Sequence, residues 1–501
     1  MRVLVSGGTG VVGRETVTCL LARGHVVRLV SRGAEDDSRE WHRGVEAHPA
    51  DVSDASSLHG AADGCDAVLH LAGIEREDPP EVTFERVNVQ GTQALLDEAT
   101  RAGVRRFVYV SSLGAERGES DYHRSKRSAE KLVERYTHDW SICRLANVYG
   151  PGDAVISVLL RWMRAVPVLP VLDDGETEFQ PIWVGDAAEA LTQLVERSRL
   201  PQRVLEVAGE ERTSLSDLVE RLGEIIDRRP VTISVPSGLV SFAAWAGQKV
   251  GMELPVDPGQ ITMLNEGSVV RSPDGNGLSL LGVRATPLES GLRKLADVAL
   301  EQLPDEGLGD LEHKRFALNV VNATTDATAL MKELRSRFDE FTPWTLEIAS
   351  EPNTPQTVAE GYTITMGLPG RGNVQVRVAE LTDTSLAMIT LEGHPLAGAV
   401  QISLEDTAPG SIRIQVEVYD RTSGLLDWIL MRTAGSPLQD YTWETLVRRL
   451  AEASGGESAG EVEVEVETLD SEESRPVEEW LKGLVQRRRR EENSRYRSKP
   501  D

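Results

Sequence analysis

The chain has 501 residues, 40% of them hydrophobic, and its 80 acidic side chains outnumber 54 basic ones for a formal net charge of −26. That charge argues against general binding to a nucleic-acid backbone, which relies on clustered lysine and arginine, and the length suits two or three globular domains with a sizeable core. Cys19, Cys65 and Cys143 lie far apart without paired spacing, which fits neither a disulfide framework nor a zinc site and suggests a reducing cytoplasm with no resident metal.

No charged leader followed by an apolar run precedes the first strand-like segment at Arg2, so no secretory signal is expected. The most apolar stretch, AVISVLLRWMRAVPVLPVL (154 to 172), holds two arginines and two prolines, a poor candidate for a membrane span. From residue 2 to about 150, compact apolar runs (RVLVSG, HVVRLVS, AVLHLAG, RFVYVSS) alternate with segments of helical periodicity such as GRETVTCLLARG and VQGTQALLDEATRAG. The expected fold is α/β, a Rossmann-type doubly wound parallel sheet whose ligands sit at the carboxyl ends of the strands.

The first strand runs into SGGTGVVGRE, where Gly7, Gly10 and Gly13 take the spacing GxxGxxG. Glycines there permit a tight turn, close approach of backbone to a pyrophosphate and close packing of helix on strand, with Thr9, Val11 and Val12 in the same turn. The second strand ends in Ser31 and Arg32, where an NAD site usually offers an acidic residue to the ribose; an arginine suits a 2′-phosphate, so NADP is favoured, with NAD left open. Asp51 and Val52 follow the third strand as a wall for adenine, and Leu71, Ala72 and Gly73 end the fourth in residues small enough for a cofactor to lie close.

FVYVSSLGA ends the next strand in Ser111 and Ser112, and SDYHRSKRSAEKLV follows as a polar helix. Tyr122 and Lys126 stand four apart and so share a face. A lysine ammonium beside a phenol favours phenolate and is expected to bring the tyrosine toward neutrality as an acid/base. Ser111 and Ser112 stand where a substrate carbonyl would need a hydrogen-bond donor.

Between about 150 and 300 the rhythm becomes irregular, as for a smaller substrate lobe; with the sheet it makes a domain over 1 to 302. LPDEGLGDLEHK (303 to 314) reads as a linker, and 315 to 455 as an α+β domain with one curved antiparallel sheet gripping a helix. Residues 456 to 501 read as a charged, partly disordered tail in which EVEVEVETLD is a solvent-facing strand. His394, between glycine and proline, is read as a turn residue, and Trp344, Trp428 and Trp443 as core.

Taken in order, SGGTGVVGRE, DVSD, HLAG, VNVQGTQALLDEA, FVYVSSLGA, YHRSK, RLANVYGPGD and PIWVGDAAEAL resemble the short-chain dehydrogenase/reductase superfamily in its extended or atypical NAD-dependent epimerase/dehydratase-like branch. SSLGA and GVRATPLESGL are most similar to the atypical group that includes the 39 kDa-type subunit of respiratory complex I. The resemblance implies an enzyme: Tyr122 as acid/base, Lys126 on the nicotinamide ribose, Ser112 on the substrate oxygen, and hydride transfer to or from a small or lipophilic carbonyl or alcohol. Two alternatives remain, a non-catalytic NADPH-binding assembly factor or redox sensor, and a nucleotide-sugar epimerase, although the interval from Ser112 to Tyr122 is short for the latter. The 315 to 455 segment resembles helix-grip, lipid-transfer-like domains, expected to take a substrate or a protein partner.

Overall fold

The computed structural model describes every residue except 42, 166–167, 198–202, 227–229, 237–267, 272–274, 298–300, 305–306, 343–346, 350–356, 369–371, 424–435, 471 and 497–501. Two compact units divide the chain, Met1–Val298 together with Arg490–Asp501, and Ala299–Arg489.

The first unit is built on seven parallel strands: β1 (Arg2–Ser6), β2 (Val26–Ser31), β3 (Val45–Pro49), β4 (Ala67–His70), β5 (Arg106–Ser112), β6 (Asp139–Leu145) and β7 (Arg203–Val207). Their order across the sheet is β3-β2-β1-β4-β5-β6-β7. The order reverses between β1 and β4, which leaves a crevice at their carboxyl ends where neighbouring connections run to opposite faces. Alternate residues serve the two faces. Leu4, Val68, Phe107 and Ile142 pack under helices α2 (Gly91–Arg101) and α3 (Asp121–Val133) through Leu95, Leu96, Ala129 and Val133. Val3, Val5, Leu29 and Leu69 pack under α1 (Val11–Ala22) and α4 (Val184–Glu196) through Val17, Leu20, Leu191 and Leu194.

A separate core, with Ile156, Met163, Leu218, Leu222 and Leu292, belongs to the lobe. Its helices are Ile156–Ala165, Leu215–Ile225 and Leu288–Asp297, beside a two-stranded parallel sheet of Val168–Leu172 and Val231–Val235. The apolar stretch 154 to 172 is therefore split between a helix and a strand, and among the described residues no helix is long and apolar enough to cross a membrane.

In the second unit, β8 (Leu308–Val321) is followed by α5 (Ala327–Ser336), then by β9 (Glu347–Ala349), β10 (Thr363–Leu368), β11 (Gly372–Leu381), β12 (Ser385–Thr390), β13 (Leu396–Ala408) and β14 (Ser411–Thr422). The strands form an antiparallel sheet in the order β9 to β14, closed by β8 beside β14. Helix α6 (Ser436–Ala453) lays Leu446, Val447 and Leu450 against Val378, Met388, Ile402 and Val416 on one face of it. A cavity of about 70 Å³ lies under Trp443, lined among others by Met366, Met388, Val400, Asp420 and Gln439. Burial pushes the Asp420 carboxyl up to about 6. His394 closes a turn, with its N–H on the Leu391 carbonyl and its ring at the Leu396 backbone. Trp344 and Trp428 lie outside the described residues.

Two expectations are corrected here. The segment 303 to 314 is a linker only at its start, since from Leu308 it belongs to β8; Leu311 is fully buried and Lys314, 2% exposed, is paired to Asp440 at 2.9 Å. Charged residues alternating with short apolar ones disguised a strand as a turn. In 456 to 501, read as a partly disordered tail, the expected solvent-facing strand is present as β15 (Glu463–Leu469), antiparallel to β8, but a helix follows it: α7 (Arg475–Tyr496) packs Leu481, Leu484 and Val485 on Ala387, Ile389 and Ala399, the sheet face opposite α6. The apolar residues of α7 recur at helical spacing, but its many arginines and glutamates dominate the composition.

β15 is held by charge more than by burial, because Val464 and Val466 are exposed. His313 on β8 lies between Glu467 of β15 (2.7 Å) and Glu417 of β14 (3.4 Å), with its ring stacked on Tyr419 at 4.4 Å. The Glu417 and Glu467 carboxylates beside it raise the imidazole above its usual pKa despite partial burial. A raised folded pKa means that the clamp contributes fully below the unfolded value of about 6.5 and fades as pH climbs through the folded one. His313→Gln should therefore lose more stability, relative to the parent, at about pH 5.5 than at about pH 9 in urea unfolding. Equal losses at both would assign the residue a packing role only.

Candidate active site

Helix α1 starts directly after the glycine turn. Gly7 has a φ of +74°, and a side chain there would strike the Ala72 backbone at 2.5 Å, so the turn is locked against the end of β4. A side chain at Gly13 would meet the Gly7 carbonyl at 2.1 Å, which fixes how closely α1 lies on β1. At Gly10 the nearest atom stands 3.6 Å away, so the chain's own packing does not require glycine there, and small size leaves room for a ligand. No side chain caps the α1 N-terminus and no acidic residue occupies its first turn, so the free N–H groups around Val11 and Val12 can meet an anion. Thr9 is half-buried in the same turn. These features fit a dinucleotide pyrophosphate.

At the end of β2, Arg32 is exposed and Ser31 donates to Asp37 Oδ2 at 2.6 Å, so a carboxylate stands beside the arginine. Asp51 folds its own turn, accepting from Ser53 N–H (2.8 Å) and hydroxyl (2.7 Å), which leaves Val52 against Gly91 of α2. Leu71 continues the line of β4 through its N–H to the Ser6 carbonyl (3.0 Å), Ala72 backs the glycine turn, and Gly73 is open to solvent.

Ser112 is the last residue of β5, and α3 starts nine residues beyond it, capped by Ser120. The pleat decides between the two serines: Ser111 points inward, 4% exposed and beside Glu130, while Ser112 points to the crevice. Ser112 Oγ accepts the Gly114 N–H and lies 3.3 Å from His123 Nε2, next in sequence to Tyr122. One turn on, Lys126 is 5% exposed and donates to the Val110 carbonyl at 2.7 Å, its ammonium 4.5 Å from the centre of the Tyr109 ring. The strand end thus meets the helix through Ser112 at His123 and through Val110 at Lys126, and Tyr122 lies on the same helix.

The electrostatics differ from the expectation drawn from Tyr122 and Lys126 alone. Burial pushes Lys126 down to about 8, with the Glu75 and Glu130 carboxylates opposing. Tyr122 is held well above the ordinary phenol value by burial and then by Glu75, not lowered toward neutrality. The i, i+4 spacing gave no sign of either, because the Lys126 ammonium is directed at Val110 and because Glu75 comes from the loop after β4. At neutral pH Tyr122 is a phenol, a proton donor.

Sequence reasoning also passed over three buried residues that hold the site. His70, fully buried and pushed down to about 3, joins Ser6 (2.7 Å) to Thr92 (3.0 Å). Thr92 donates to the Asn88 carbonyl (2.6 Å), so it accepts from His70 Nε2–H and leaves Nδ1 to accept the Ser6 hydroxyl. The Asn88 side chain accepts the Ile74 N–H (2.8 Å) and donates to the Ile74 carbonyl (3.1 Å) and to Ser125 Oγ (3.0 Å), whose hydroxyl donates to the Tyr122 carbonyl (2.7 Å). His123, 5% exposed, is the third. VNVQGT and YHRSK each contained one of them, but a buried polar residue inside a helix carries no periodic signal.

Comparison with known proteins bears on the family. The family model described as the NAD dependent epimerase/dehydratase family matches residues 3–208. A ceramide reductase of Caulobacter vibrioides is 30% identical over 246 residues, 48% of this chain and 76% of that protein. A 3 beta-hydroxysteroid dehydrogenase/Delta 5-->4-isomerase of Mycobacterium tuberculosis is 44% identical over 118 residues, 22% of this chain and 31% of the enzyme. The mitochondrial NADH dehydrogenase [ubiquinone] 1 alpha subcomplex subunit 9 of Arabidopsis thaliana is 28% identical over 240 residues, 46% of this chain and 60% of the subunit. For the last two, this chain spans less than two thirds of the relative's length.

The buried ammonium makes a measurable prediction about stability. A lysine whose folded pKa is near 8 is penalised at neutral pH, and the penalty shrinks as pH rises from there toward the unfolded value of about 10.4. Lys126→Met should be more stable than the parent near pH 7, by about 1–3 kcal/mol, with the advantage closing by about pH 10. Urea unfolding at a series of pH values reads this; a variant less stable at every pH would contradict it.

Proposed function

The chain belongs to the NAD dependent epimerase/dehydratase family, and on that premise we propose that it is an NADP-dependent reductase of small or lipophilic carbonyl compounds, with Tyr122 as the proton donor. The observation that supports the reading is the contact of Ser112, at the end of β5, with His123 of α3, the helix that also carries Tyr122 and Lys126. The glycine turn with Thr9, Val11 and Val12, together with Asp51, Val52, Leu71, Ala72 and Gly73, would hold the dinucleotide. When bound, the nicotinamide supplies the hydride.

The remaining chemistry is the protein's own. The Ser112 hydroxyl donates to the substrate oxygen and polarises the carbonyl, while the Tyr122 phenol delivers the proton to that oxygen. The direction of the Tyr122 shift favours reduction, because a phenol held neutral gives up a proton only to the alkoxide that forms. Lys126, close to half-titrated at pH 8, supplies a positive charge to the cofactor ribose and to the phenolate left behind.

An apolar substrate is favoured by the names of two relatives, which act on ceramide and on a steroid, and by the acidic loop IEREDPPE (74 to 81) after β4, which disfavours a substrate carrying a pyrophosphate. Arg32 supports NADP over NAD, and Asp37 beside it is the competing feature.

Two experiments test the proposal. With NADPH and a panel of uncharged ketones, including long-chain and steroid ketones, Tyr122→Phe should lower kcat by about 100-fold or more while NADPH affinity stays within about twofold; undiminished turnover would remove Tyr122 from the mechanism. Arg32→Asp should shift cofactor preference from NADPH toward NADH by about tenfold or more in kcat/KM, and an unchanged ratio would withdraw the assignment of Arg32.

A further inference from the structure

Ser112 can act on a substrate oxygen only if its proton is free to point there, and the structure surrounds its oxygen with two fixed groups. The Gly114 N–H donates to it at 3.3 Å, and His123 Nε2 lies 3.3 Å away. The imidazole is held just as firmly at its other end, with Nδ1 2.9 Å from Ser120 Oγ, the α3 cap, which also accepts the His123 backbone N–H at 3.2 Å. A side chain at Gly114 would fall 2.2 Å from His123 Nε2, so the ring occupies space that only glycine at that position leaves open. A ring that is 5% exposed, fitted against a glycine and bonded through both nitrogens has one orientation.

We propose that His123 is a positioning residue for Ser112: its Nε2–H donates to the serine oxygen and turns the serine proton toward the substrate. The inference rests on the reductase reading, because that reading makes Ser112 a donor. The hydrogen bonds close consistently. Ser120 accepts the His123 backbone N–H and donates its hydroxyl to Nδ1; Nε2–H donates to Ser112; Ser112 accepts from Nε2 and from Gly114 N–H, which leaves its O–H for the carbonyl. With the other tautomer, Ser112 would spend its proton on Nε2 and have none for the substrate.

The tautomer can be read without any substrate. In the full chain carrying nitrogen-15 in its histidines, with His123 assigned by its loss in His123→Gln, long-range nitrogen–proton spectra should show a neutral ring with the proton on Nε2. A proton on Nδ1 instead would overturn the proposal. Kinetics with NADPH and the uncharged ketone panel supply the second readout. His123→Leu should lower kcat roughly tenfold or more, whereas His123→Gln, which keeps an N–H donor at similar reach, should recover most of it. Adding Ser112→Ala to His123→Leu should cost little beyond either change alone, since both remove the same interaction; losses that simply add would overturn the coupling. Tyr122→Phe measured alongside separates the two levels. Turnover that needs Tyr122 but is indifferent to His123 counts against this proposal alone, and turnover indifferent to Tyr122 counts against the reductase reading beneath it.

Discussion

Everything at the crevice is arranged around one buried ammonium. Lys126 has lost nearly all of its water, a loss that only a hydrogen bond to the Val110 carbonyl, the face of the Tyr109 ring and the fields of Glu75 and Glu130 offset. The partners do not offset it fully, as the depressed pKa records. A group held in that state exerts its charge over a longer reach than a solvated lysine, because the protein around it screens poorly. The same surroundings raise Tyr122. On the proposed reading the two shifts move apart in the sense an acid and a counter-charge need, with a phenol that would keep its proton until an alkoxide takes it and a cation close by when it does.

Such an arrangement needs a rigid frame, and a run of buried polar contacts supplies one. It begins at Ser6, beside the glycine turn, and passes through His70, Thr92, Asn88 and Ser125 to the carbonyl of Tyr122. Each member spends its donors and acceptors on the next, so none is left unsatisfied within the run and the strand that begins the cofactor turn is tied to the helix bearing the proton donor. His70 takes part as a neutral ring, since full burial holds it near 3 and no pH of interest charges it. A second buried pair anchors α3 from below: Arg144 grips Glu130 with two bonds, at 2.8 and 2.7 Å, and the carboxylate stays ionised although burial alone would raise it.

How much of this could be read from the letters varies with the kind of information each residue carries. The sheet was legible because β-branched runs and helical periodicity are repeated four times before residue 150, and the glycine turn because its spacing falls between a strand and a helix. Ser112, Tyr122 and Lys126 were legible as a pattern, but the sign of the Tyr122 shift was not, since it depends on burial first and then on Glu75, 47 positions earlier in the chain. His70, Asn88 and His123 owe their importance to tertiary partners. In the second unit, strands with alternating apolar residues were legible, the solvent-facing β15 among them, whereas α7 was obscured by composition, a helix whose few apolar residues cover Ala387 and Ile389. Charge was taken there as a sign of partial disorder, yet Glu465 and Glu467 of β15 face Arg315 and His313 across the ladder.

The claim on which the account stands is that the crevice between β1 and β4 takes a nicotinamide dinucleotide beside Lys126. The most direct measurement is a calorimetric titration of the full chain with NADPH and with NADH, repeated with Lys126→Met. The account predicts saturable binding of NADPH, weaker binding of NADH, and loss of affinity for both in the variant. Binding of neither dinucleotide, or equal binding by parent and variant, would contradict it.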